Sequence, residues 1–132
     1  MSEKINWSVS IQVLGGPKIS ASQTLTVDAY DKIDVVIADG ASGEDVEVQP
    51  GSTGQVQFLL IKSVKYGADL TYSVNAAEAD STKRIKLDSQ QIFTGEGNVG
   101  LLGTSPQKLY FYNSLGEDAA IQILVGRKAV TP

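Results

Sequence analysis

The chain has 132 residues, 42% of them hydrophobic and 20% charged, which describes one globular domain with a core of its own rather than a disordered segment. A net charge of −4 with 11 Lys and Arg argues against a nucleic-acid binder that works by neutralising many phosphates. Cysteine and histidine are both absent, which excludes disulfides, thiolate nucleophiles, zinc–thiolate and iron–sulfur sites, imidazole bases and every Ser-His-Asp or Cys-His arrangement.

In chain order, the first element is Ile5 to Val13, where apolar residues hold every odd position and polar residues every even one between. That is the period of a strand with one buried and one wet face. Trp7 shares parity with Ile5, Val9 and Ile11, so it is expected in the core rather than as a sugar-stacking platform. The segment Leu14-Gly15-Gly16-Pro17 ends the strand. No apolar signal region precedes it, and the longest apolar run, Phe58-Leu59-Leu60-Ile61, is far too short to span a membrane. The expectation is a product made and kept in a cytoplasm, or assembled there into something larger.

Thr24 to Tyr30 and Lys32 to Ala38 are the next two strand patterns, with Asp31-Lys32 as a tight connection or bulge between them. A turn-rich loop, Asp39 to Asp45, follows. Here Asp28, Asp31, Asp34, Asp39, Glu44, Asp45 and Glu47 face only Lys32 in opposition. Carboxylates and loop carbonyls can hold calcium, but the spacing does not fit an EF-hand loop and strand parity scatters the acids, so a solvated acidic rim is preferred and no metal site is assigned. Val46 and Val48 mark a short strand closed by the turn formers of 49–54.

Gln55 to Val64 follows, apolar on both faces at Phe58 to Ile61 and therefore expected to be central in a sheet. Leu70 to Val74 alternates again, Ala76 to Ser81 is long enough only for a helical turn, and Arg84 to Phe93 reads as a strand followed by a connection. The triplet Lys83, Arg84, Lys86 is expected to be a solvated edge. Gly95-Glu96-Gly97-Asn98-Val99-Gly100 satisfies the string G-x-G-x-x-G, but Gly103 and Pro106 leave no room for the long helix that phosphate binding at such a string requires. A loop over residues 94–106 is expected instead, with Leu101 and Leu102 exposed as a foot that packs on a neighbour.

The last two patterns, Lys108 to Tyr112 and Ala119 to Val125, are β-branched and aromatic runs joined by turn formers and are expected to pair as a hairpin. Leu109 and Phe111 fall on one face and Tyr110 and Tyr112 on the other, so the strand needs two covers. About eight or nine short strands with no long helix predict an all-β chain, a single domain over residues 1–132 built as an antiparallel β-sandwich of jelly-roll or Greek-key type.

The ending Leu109 to Asn113 and Glu117 to Arg127, with Thr26 to Ile33 as a compatible inner strand, resembles the last hairpin of small β-sandwich accessory proteins of tailed-phage virions, such as capsid decoration proteins. The resemblance implies homotrimers or larger rings held by strand and loop contacts, and carries over no catalytic or binding residue. With no catalytic motif and no cofactor or metal motif, the expectation is a non-enzymatic structural protein. It would form a symmetric homo-oligomer, trimer or larger, or decorate a larger virion-like assembly, without nucleic acid or membrane as partner. Leu101, Leu102, Tyr110 and Tyr112 are its interface candidates, because aromatic and exposed aliphatic residues are favoured in interface cores. The competing reading is a carbohydrate-binding module in which Tyr30, Tyr66, Tyr72, Tyr110 or Tyr112 stacks on sugar rings. A glycosidase would need a carboxylate pair that sequence cannot place.

Overall fold

The structure is a computed structural model that describes residues 2–49, 55–103 and 106–128. The described residues form ten strands: β1 (Glu3–Gln12), β2 (Lys18–Val27), β3 (Ala29–Ile37), β4 (Ser42–Glu47), β5 (Gln55–Ser63), β6 (Leu70–Val74), β7 (Ile85–Lys86), β8 (Gln91–Thr94), β9 (Lys108–Asn113) and β10 (Ala119–Lys128). The all-β antiparallel class expected from the periodicity is the class observed. Strands β3 to β10 form two four-stranded sheets with orders β3-β10-β5-β8 and β4-β9-β6-β7. Successive strands alternate between the sheets over most of this length, and the last two lie beside the first ones, which is the double Greek-key path of a jelly roll.

The two inner faces meet in one core. Ile37, Leu59, Ile61, Ile121, Ile123 and Val125 come from one sheet, and Leu70, Tyr72, Leu109 and Phe111 from the other. The rings of Tyr72 and Phe111 lie 5.7 Å apart between centroids and tilted, an edge-to-face type of contact. As expected, β5 is an inner strand, flanked by β10 and β8.

The last two strands do not form the expected hairpin. β9 pairs with β4 and β6, and β10 with β3 and β5, so the connection 114–118 crosses from one sheet to the other. Each strand takes an inner place, β9 between β4 and β6 and β10 between β3 and β5, but in opposite sheets. The crossing is pinned by Asn113, fully buried. Its side-chain amide donates to the carbonyls of Ile37 (3.0 Å) and Glu117 (2.9 Å), and its side-chain oxygen accepts from the Leu115 N–H (2.9 Å). Nearby, the Asp118 carboxylate accepts from the Asp39 N–H (2.9 Å) and the Asp39 carboxylate from the Gly116 N–H (3.0 Å).

Three further expectations are corrected. The break predicted at Asp31-Lys32 lies at Asp28, and β3 runs unbroken through both residues. Residues 84–93 supply two strands, β7 and β8, in different sheets. The stretch predicted as a loop after residue 94 forms a one-turn helix α1 (Glu96–Val99) and a 3-10 turn (Gly100–Leu102), because Val99 is buried in the core and Leu102 packs against it. The turn formers from Pro50 to Gly54, and Thr104 and Ser105, lie outside the described residues.

Tyr72 shows how the core tolerates a polar group. Its hydroxyl donates to Gln91 Oε1 at 2.6 Å, and Gln91 Nε2 in turn donates to the Lys86 carbonyl at 2.7 Å, tying β6, β8 and β7 together. Burial pushes the phenol well above its ordinary value. The folded state therefore holds the proton longer than the unfolded chain, and this contribution is complete below about pH 10 and lost as pH rises from there through the folded value. Tyr72→Phe should cost about 1 kcal/mol at neutral pH through the lost donor and flatten the fall in melting temperature above about pH 10. Thermal melts of the two proteins from neutral to alkaline pH check this; parallel alkaline slopes would show that Tyr72 does not carry the loss.

Candidate functional site

β1 and β2 belong to neither sheet of the sandwich. They pair only with each other, in register from Glu3↔Val27 to Gln12↔Lys18, as a separate two-stranded arm. Side-chain alternation gives the arm two unlike faces. On one face Asn6, Ser8 and Ser10 lie opposite Thr24, Ser22 and Ser20; on the other Ile5, Trp7, Val9 and Ile11 lie opposite Leu25, Gln23, Ala21 and Ile19. The turn at the tip closes through the Val13 N–H to the Pro17 carbonyl (3.0 Å) and the Gly16 N–H to the Val13 carbonyl (2.7 Å), with Gly15 at φ +76°.

Among the described residues, only the base of the apolar face is covered by the rest of the fold. The arm seats on the outer side of the β3-β10-β5-β8 sheet at Gly126, where a Cβ would stand 2.7 Å from Ile5 Cδ1 and 3.1 Å from Val27 Cγ1. Glycine is what lets the two layers approach so closely. Phe58, opposite Gly126 in the sheet, is buried there together with Val27. Trp7, next along the arm, is half-buried, and its shielded indole N–H meets no acceptor among the described residues.

Beyond Trp7 the cover ends. Val9, Ile11, Val13 and Ile19 are exposed, Ile19 at 68%, and Leu14 at the tip at 93%. The expectation of a buried face on the first strand is thus corrected: the alternation is present, but nothing among the described residues buries its outer half. Five large aliphatic side chains left this open amount to on the order of 500 Å² of apolar surface, at the upper end of what one patch on a soluble monomer presents. A two-stranded ribbon is at best marginally stable when it stands alone in water.

The outer side of the sheet on which the arm seats is also open. Its outward positions form rows across the strands: Lys32, Leu124, Leu60, Ile92; then Asp34, Gln122, Lys62; then Val36, Ala120, Val64. Val36 is 58% and Val64 67% exposed. Because Ala120 is small and its neighbours on either side are larger, this last row is hollow. A depression of about 320 Å³ lies there, walled by Val36 and Val64 and edged by Asp34 and Lys62.

The opposite sheet is covered differently. Residues 76–84 fold over its outer face, where the Arg84 guanidinium stacks 3.6 Å above the centre of the Tyr112 ring and the Tyr112 hydroxyl accepts from the Glu78 N–H at 2.8 Å. Arg84 also donates to the carbonyls of Glu78 (2.7 Å) and Ala79 (3.1 Å), so it is engaged rather than part of a solvated basic edge. The Asp80 carboxylate caps the 3-10 turn Ser81–Lys83, and its bonds from the Thr82 hydroxyl and N–H, with Arg84 nearby, hold it below the usual carboxylate range.

The four interface candidates therefore part company. Tyr112 is buried under Arg84, and Leu102 is turned onto the core. Tyr110 is half-buried between Asp45 and Ser73 of the flanking strands, and Leu101 alone stands free at 78%. The arm tip and the hollow row, Leu14, Ile19, Val36, Ala120 and Val64, were not singled out. Exposed aliphatic residues in a period-two pattern look the same in sequence as buried ones.

The acidic stretch is met by more cations than Lys32. Asp31 pairs with Arg127, Asp34 with Lys32 at 3.1 Å, and Asp45 and Glu47 face Lys108 at 3.5 and 4.0 Å. No group of three or more acidic residues able to hold a metal ion occurs among the described residues. Tyr30 and Tyr66, the exposed tyrosines, lie at opposite ends of the β3-β10-β5-β8 sheet, and the Tyr66 hydroxyl is engaged by the Ser63 N–H. No helix among the described residues is long and apolar enough to cross a membrane.

If the arm is held at its base by close packing on Gly126, then Gly126→Val should lift it. The expected result is a red shift in the emission of Trp7, the chain's one tryptophan, with a loss of about 1–3 kcal/mol from overpacking. Unchanged emission would mean that the arm is not seated there. Comparisons of the chain with protein-family profiles, with curated proteins and with solved structures find no match.

Proposed function

We propose that the chain is a non-enzymatic structural protein whose work is assembly: it self-associates into a symmetric homo-oligomer, or joins a larger virion-like assembly, through the β1–β2 arm. The observation that carries this reading is the apolar outer half of the arm, Val9, Ile11, Val13, Leu14 and Ile19, which the described residues leave uncovered. Such a surface gains most from a partner that removes it from water. The polar face, rich in Ser, Thr and Asn, leaves the arm wet on one side, as suits a ribbon that lies on a surface rather than inside a core.

The arm replaces the Leu101 and tyrosine pair as the leading interface, while Leu101 remains available as a peripheral contact. Self-association of this kind requires no cofactor. It predicts that light scattering behind size exclusion gives a mass of two or more chains. Ile11→Asp combined with Ile19→Asp should lower the apparent association constant by at least about tenfold, since placing charge in an apolar contact is costly, while the far-ultraviolet signature of the sandwich persists. A wild-type chain that stays monomeric across the accessible concentration range would overturn the assembly reading.

A further inference from the structure

Resting on that reading, we infer that the arm of one copy docks on the outer face of the β3-β10-β5-β8 sheet of a second copy, with the tip seated in the hollow over Ala120. The arm's own base shows the mode of contact. Within one chain the first part of the apolar face already packs on this side of the sheet, at Gly126 and Phe58. Further along the same side, Leu124, Leu60 and Ile92 continue the apolar surface, and beyond the polar row of Asp34, Gln122 and Lys62 the side chains of Val36 and Val64 wall the hollow. The two apolar surfaces left open among the described residues are thus of one kind, and the seat of the arm's base lies on the same side of the sheet as the hollow. The opposite sheet offers less, since residues 76–84 already cover it at Tyr112.

Size and reach agree. Ten paired residues at about 3.3 Å each make the arm roughly 30 Å long, against roughly 20 Å along β10 from Gly126 to Ala120, so a neighbour's arm can span the face. The hollow of about 320 Å³ has room for the Leu14 side chain, the most exposed large apolar group among the described residues. Each seated arm removes on the order of 1,000 Å² from the two copies together, and every copy gives one arm and receives one. A reciprocal pair then buries about 2,000 Å², the size of a stable specific interface, and a closed ring does as much per copy. Because the donor and acceptor patches differ, the contact also suits rings larger than two.

The absence of cysteine makes the test direct, since every disulfide is one introduced by design. Leu14→Cys and Val36→Cys, carried on two copies distinguished by a tag, should form a mixed disulfide under mild oxidation in at least about tenfold excess over a Leu14→Cys and Lys83→Cys control, in keeping with a specific seat rather than random encounter. Predominant tip-to-tip disulfides between Leu14→Cys copies would overturn the inference. Independently, Val36→Asp with Val64→Asp should lower the oligomer mass as the Ile11→Asp and Ile19→Asp pair does, and mixing the two double variants should restore association, because one retains the arm and the other the face. Association that is lost with the arm charges but indifferent to Val36→Asp and Val64→Asp would leave the assembly reading standing and refute this docking site. A wild-type chain that never associates would refute both.

Discussion

The crossing between β9 and β10 is the constraint on which the sandwich depends. These two strands are the most apolar runs near the C-terminus, and each fills a central place, but in opposite sheets. The connection must therefore step across a gap of about 10 Å between packed sheets, and the buried amide of Asn113 fixes where it does so. Its side chain satisfies two carbonyls and one N–H from the ends of β3 and the crossing itself. Its backbone N–H donates to the Ala41 carbonyl and its carbonyl accepts from Gly40. An apolar residue could fill the same space, but it would take the side-chain donor from the buried Ile37 carbonyl, at about 1–3 kcal/mol. The polar residue makes this corner specific where leucine would only make it greasy.

Around that corner the body of the protein is complete. Its core draws on both sheets, α1 and the 3-10 turn after it place Val99 and Leu102 against it, and Tyr72 and Gln91 satisfy each other inside it. The arm is not complete in this sense. It holds to the body through its base alone, and its outer half has ladder hydrogen bonds but no apolar cover on either side. Stability is therefore unevenly distributed: high in the sandwich, low at the arm tip, where local opening costs least. An element of that kind gains order from whatever it docks on, and it couples association to the ordering of a ribbon already in its strand conformation. On the assembly reading, that preformed pairing limits the entropy lost on docking.

Much of the sandwich is legible in the sequence, because period-two patterns and two-faced apolar runs report local geometry directly. Ile5 to Val13, Phe58 to Ile61, Leu70 to Val74 and the two C-terminal runs all lie in strands or at their ends. Pairing is less legible. Nothing in Lys108 to Val125 separates a hairpin from a crossing, since both need turn formers between two apolar runs, and the deciding group is one asparagine. The first half of β2 was missed because Ser20, Ala21, Ser22 and Gln23 are small or polar, and only their partnership with β1 makes them a strand. The helical turn at Glu96–Val99 is shorter than any pattern can announce, and Val99 and Leu102 find their place only once β5 and β8 exist to receive them.

The candidate site escaped sequence reading for a different reason. A hydrophobic alternation states that a face avoids water and is silent on who covers it. Trp7 and Ile11 share parity and strand, yet the ring is half-buried at the arm's base while the isoleucine, four residues further, is open. What separates them is distance from the sheet, set by the seat at Gly126 and the break at Asp28 that ends β2 and begins β3. Past that seat no other element of the described chain packs against the arm's apolar face, and on the assembly reading the cover for the remaining side chains comes from another molecule. The pattern on β1 is then as consistent with burial as any strand of the core, provided that the unit that buries it is larger than one chain.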